Sequence, residues 1–217
     1  MSVARRNPTL LFAGSIAVVG NLLAVALLGA QPAAYRLATL DDWAQQVGQH
    51  PAGAAASAIA FTLGLIALGI WALELGAQLG GRLAKASAQV IAIGALFDAL
   101  GAVAPLVLAI HVREASAEGA RSVARALLGF SLDLDSLFNL CLALGLVGLG
   151  LGWPKREKGP WRGLAIVSGL LSLPVSAQAL VDEAVRFLPV AALFWLTFVG
   201  ATALKKWKPD ESFRTAR

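Results

Sequence analysis

Long uncharged runs alternate with short charged clusters along this chain. No acidic, lysine or arginine residue occurs between Arg6 and Arg36, between Asp42 and Glu74, or between Asp135 and Lys155. An α-helix needs roughly 20 apolar residues to cross a hydrocarbon layer about 30 Å thick, and the chain supplies such runs repeatedly. Read against their charged flanks, they predict six spanning helices, over about 9–30, 54–75, 88–110, 127–153, 161–180 and 184–204. The expected fold class is all-α: a polytopic integral membrane helix bundle, with residues 1–217 as a single transmembrane domain. The first run follows Arg5 and Arg6 and ends near Gly29 and Ala30, as a secretory leader would. Its apolar stretch exceeds the roughly 7–15 residues of a leader, so it is read as a span.

Basic residues should gather in alternate loops if this division is right. With the N terminus inside, the cytoplasmic side receives Arg5, Arg6, Arg82, Lys85, Lys155, Arg156, Lys158, Arg162, Lys205, Lys206, Lys208, Arg214 and Arg217. The other side keeps only Arg36, Arg113, Arg121, Arg125 and Arg186. Both termini are therefore expected in the cytoplasm, and the protein in a cell membrane as a multi-pass chain, read as the bacterial cytoplasmic (inner) membrane. Trp153, Trp161 and Trp207 flank three inner helix ends, where an indole lies at headgroup level with its N–H hydrated.

Composition agrees: the chain is 58% hydrophobic and 14% charged, too apolar for a domain that must wet its whole surface. The net charge of +5 is spread over helix ends and not gathered in an aromatic-interleaved patch. Anionic membrane lipids, and no nucleic acid, are the partners this implies. Cys141 is the single cysteine, so no internal disulfide or CxxC pair exists. His50 and His111 fall on the outer side, and His111 with Glu114 has the i, i+3 spacing of two ligands, but no third ligand is near. His50 lies outside the spans, so a haem between facing helices has no ligand pair. No cofactor is expected.

Two outer loops are long. In 31–53, Thr39 is placed to cap a short helix whose first turn carries Asp41 and Asp42. The segment from His111 to Arg125 has charges spaced to extend the fourth helix outward by about two turns. Helix association in lipid depends on close backbone approach and buried polar contacts. Gly76 with Gly80 and Gly148 with Gly152 form GxxxG pairs, read chiefly as internal packing and secondarily as a self-association face. Ser168, Ser172 and Ser176 make a polar seam on the fifth helix beside Pro174, which cannot donate to the carbonyl of Leu170.

The chemistry lies in a few polar residues inside these runs. Asp98 interrupts the third span, where an aspartate costs about 2.5–3.5 kcal/mol at the helix centre and must turn inward. The fourth span opens with Ser131, Asp133, Asp135 and Asn139. Ser131, Asp135 and Asn139 share one face, and Asp133 points elsewhere by about 200° from Asp135. Antiparallel packing puts Asn139 near the depth of Asp98 and Asp135 about 6 Å nearer the outside. The ligand or ion site read from this is Asp98, Asp133, Asp135, Asn139 and Ser131, with Ser172 and Ser176 of helix five and Arg186, the partner of Asp133 in a purely structural network. Glu74 is read as an interfacial anchor within reach of Arg82 or Lys85.

Three functions follow in order. The first is binding or transport of a small solute, proton or cation through an outward-facing polar cleft. The second is a non-catalytic subunit or scaffold, which brings in a protein partner or a homo-oligomer. The third is an intramembrane enzyme on a lipid-like substrate with a carboxylate as general base; no His-rich or Ser-Lys constellation supports it.

Overall fold

The computed structural model describes residues 5–28, 49–104, 106–107, 117–155 and 159–207. The expected cap at Thr39 and the residues His111 and Glu114 lie outside them. Helix α1 spans Pro8–Leu28, α2 Pro51–Leu79, α3 Arg82–Gly101, α4 Ala117–Leu151, α5 Trp161–Ser172 and α6 Leu188–Leu204. The protein is all-α in character, and four helices, α1 to α4, are long and apolar enough to cross a membrane. Helices α5 and α6 are shorter, of 12 and 17 residues, and are joined through 3-10 turns over Pro174–Ala177 and Asp182–Phe187.

Local chemistry explains these ends. Asn7 caps α1: its Oδ1 accepts from the backbone N–H of Thr9 (3.0 Å) and Leu10 (3.2 Å), and Pro8 occupies the first helical position. Helix α2 stops at Gly80, whose φ of 78° is the left-handed conformation that glycine adopts freely; its N–H donates to the Gly76 carbonyl. The predicted fifth span over 161–180 is not one continuous α-helix. Pro174 has no N–H for the preceding turn, and the chain tightens, with Ser176 N–H donating to Leu173 and Gln178 N–H to Val175. Helix α4 starts ten residues before the predicted span, so the helix is extended at that end, and at 35 residues it is about 52 Å long.

Each helix packs chiefly on its neighbours in sequence, and α6 returns to pack on α1. The two-residue strands β1 (Arg5–Arg6) and β2 (Lys206–Trp207) pair antiparallel, so the start of α1 and the end of α6 meet at one end of the bundle. This is the terminal end of the bundle. Large apolar side chains also cover the outside, with Phe12 71%, Leu96 59% and Leu193 64% exposed. Such a belt is unstable against water and suits lipid.

Glycines set the helix contacts. A methyl group on Gly20 would lie 2.8 Å from the Ala60 carbonyl and from Gly64 Cα, so α1 and α2 touch backbone to backbone. Gly76 faces Ala84 and Ala88 of α3; Gly148 of α4 and Gly152 just beyond its end face Ser87 and Ala84. Gly145 meets Ile91, and Gly94 meets Cys141, fixing an antiparallel register of α3 against α4 along their whole shared length. Both GxxxG pairs thus contribute glycines to contacts within the chain.

The terminal end holds an aromatic cluster. Trp153 and Trp207 lie with ring centroids 6.1 Å apart, and Lys205 Nζ lies 4.0 Å from the centre of the Trp207 ring, with Trp153 and Trp161 also within 6 Å. The two indoles turn inward onto the bundle: both are buried, and neither Nε1 has a hydrogen-bond partner. This corrects the expectation of hydrated indoles for Trp153 and Trp207. Their rings find apolar partners such as Phe198, 6.1 Å from Trp153. Glu74 is half-buried, and no ion pair joins it to Arg82 or Lys85.

Candidate functional site

The α3–α4 register determines what Asp98 meets. One turn before it, Gly94 lies against Cys141 and the Phe138 carbonyl; one turn after it, Gly101 lies against Ser131 and Leu134. The Gly94 contact has no room for a larger residue and the Gly101 contact is tight, and between them the Asp98 side chain enters the turn of α4 that carries Asp135. The Asp98 and Asp135 carboxyl groups face one another and interact directly. Asp98 is 2% exposed. It lies about 21 Å along α3 from the Ala84–Gly152 contact at the terminal end, toward the opposite end of the bundle.

Two amides complete the surroundings of Asp135. Asn139, one turn along α4, donates Nδ2–H to Asp135 Oδ1 at 3.2 Å and to the Asp135 carbonyl at 2.9 Å. Gln178, from the connection between α5 and α6, donates Nε2–H to Asp135 Oδ2. A second tether lies beside it, where the Ala179 N–H donates to Ser136 Oγ at 3.2 Å. Two buried oxygens here have no hydrogen-bond partner among the described residues: Gln178 Oε1, in a side chain with no solvent exposure, and Asp98 Oδ2.

Hydrogen-bond chemistry restricts how this cluster is charged. An ionised carboxylate only accepts, so two carboxyl groups in contact need a proton between them. Asp135 already accepts an amide N–H on each oxygen, which makes it the accepting partner and Asp98 the donor. With that one proton the cluster carries one negative charge, and neither aspartate forms an ion pair with a lysine, arginine or histidine among the described residues.

Of the residues singled out in the sequence, Asp98, Asp135 and Asn139 come together. Asp98 engages Asp135 and not the level of Asn139, because the register is shifted about one turn from the expected depth. Ser131 is buried one turn from Asp135, with its backbone against Gly101. Ser172 is buried but donates to the Ser168 carbonyl, and Ser176 donates to the Leu173 carbonyl, so both bond to their own segment. Asp133 and Arg186 are exposed, and no ion pair joins them. Sequence reasoning missed Gln178 and Ser136. The signal for Gln178 was an amide in an otherwise apolar stretch just beyond a proline; helical spacing, which selected the serines, cannot find a residue placed by 3-10 turns. No family model, curated protein or solved structure matches this chain.

Proposed function

We propose that this is an integral membrane protein that binds a small cationic species, a proton or a cation, at the Asp98–Asp135 pair, and that binding there serves transport of that ion or of a small solute. The observation that carries the reading is the buried carboxyl pair itself, built from two adjacent helices and supplied with amide donors on one partner only. A purely structural contact gains little from a second acid at this place, because burying charge costs several kcal/mol per ion and apolar packing does as well. The pair lies toward the end opposite the paired strands, beneath the α5–α6 connection. With the termini inside, that is the outer side, which suits an outward-facing polar site.

Asn in place of Asp98 supplies an N–H toward Asp135 and removes the exchangeable proton. Purified Asp98→Asn reconstituted in proteoliposomes should keep its fold, by circular dichroism and gel filtration, and lose ion-driven proton or alkali-cation flux that the unaltered protein shows. Flux equal to that of the unaltered protein would remove the pair from function.

A further inference from the structure

Resting on that reading, we infer that the ion is a bare monovalent cation of the alkali class, and that Gln178 Oε1 is one of its ligands together with the Asp98 and Asp135 carboxyl oxygens. Charge sets the valence. With one proton shared, the facing pair carries one net negative charge and has no basic partner among the described residues, and a single positive charge neutralises it; a divalent ion would leave an excess. The donor set selects the chemistry, since every group present is a hard oxygen, as such cations require, and no thiolate or imidazole contributes.

Two other occupants satisfy less of the site. A water molecule would give hydrogen bonds to Gln178 Oε1 and Asp98 Oδ2 but leave the charge uncompensated. A second proton would neutralise the charge, since the Asp135 oxygens that accept the N–H groups of Gln178 and Asn139 keep lone pairs for it, but it would leave Gln178 Oε1 unpartnered. A cation answers both needs.

Gln178 is carried by the connection between the two 3-10 turns, so its ligand role ties the ion to the placement of that segment. The amide bridges the site, with Nε2–H on Asp135 and Oε1 turned to the ion, and Ala179 N–H on Ser136 holds the same segment beside it.

The test is thermal unfolding of the full-length protein in detergent, titrated with sodium, potassium or magnesium chloride and with choline chloride as the control for ionic strength. A saturable rise in midpoint with sodium or potassium, and none with choline, is expected. Gln178→Met should weaken the apparent affinity by about tenfold or more, the scale of one lost contact to a charged group. Gln178→Glu, which keeps acceptor oxygens and adds charge, should retain a cation response and gain one to magnesium, and it serves also if the Met variant does not fold. Glu183→Gln, at an exposed acid of the α5–α6 connection, should respond as the unaltered protein does. If Asp98→Asn abolishes the alkali response but both Gln178 variants keep the original one, the Gln178 assignment is overturned and the carboxyl site stands. If Asp98→Asn also responds normally, both fail. Absence of any alkali response in the unaltered protein overturns the cation, leaving the proton to the flux assay.

Discussion

Asp98 and Asp135 form one contact but are not equivalent, and the direction of their hydrogen bonds says how they differ. Asp135 receives amide N–H groups on both oxygens. Asparagine has one acceptor oxygen and one NH2, so Asp135→Asn turns a donor toward either Gln178 or Asn139 and leaves that amide without an acceptor. A buried polar group stripped of its partner costs about 1–3 kcal/mol, and Asp135→Asn should be destabilised by that much. Asp98→Asn keeps a donor toward Asp135 and should lie within about 1 kcal/mol of the unaltered protein. Denaturant unfolding in mixed micelles compares the two; equal losses would show that the assigned donor and acceptor roles are wrong. Asp98 was legible in the sequence because an acid in an apolar run has few places to go, and Asn139 because it shares a face with Asp135. Gln178 was not, since its position follows from a local departure from helical spacing that begins at Pro174.

Among the helices, legibility followed the same division. Runs with uncharged cores and capping or breaking residues at their ends, such as Asn7-Pro8 before α1 and Gly80 after α2, gave helices close to those expected. The α5–α6 connection was blurred because hydrophobicity persists beyond Pro174 as far as Leu180, 87% exposed, and Val181, 46%, and the charged break comes only at Asp182 and Glu183. Contacts between helices are set by residues whose role is to be small, and there the surroundings of each glycine decide. Gly20→Ala places a methyl 2.8 Å from the Ala60 carbonyl, so the helices must separate, at a cost of roughly 1–3 kcal/mol. Gly163→Ala meets open space in α5 and should stabilise by about 0.5–1 kcal/mol through helix propensity alone. Thermal unfolding of the pair in one detergent measures the difference; destabilisation by both, to the same degree, would mean that propensity and not packing governs these positions.

For the molecule as a whole, the pairing of Arg5–Arg6 with Lys206–Trp207 constrains topology more than any single run of apolar residues does. A chain whose first and last helices begin and end at the same end of a bundle has crossed it an even number of times. Gly152 against Ala84 puts the turn after α4 at that same end, and the break after Pro174 carries the α5–α6 connection to the other. Two exposed positions, Lys155 and Leu180, should therefore report opposite faces. With the half-buried Cys141 replaced by serine, Leu180→Cys should react with a membrane-impermeant maleimide in intact cells, and Lys155→Cys only after permeabilisation. The basic residues near the terminal end, among them Lys155, Arg162 and Lys206, are the reason for assigning it to the cytoplasm. Reversed labelling would keep the bundle and invert its orientation, placing the aspartate pair near the inner face. Reaction of both cysteines from one side would be incompatible with α5 as a crossing segment, and the connection bearing Gln178 would then belong to a hairpin that enters and leaves on the same face.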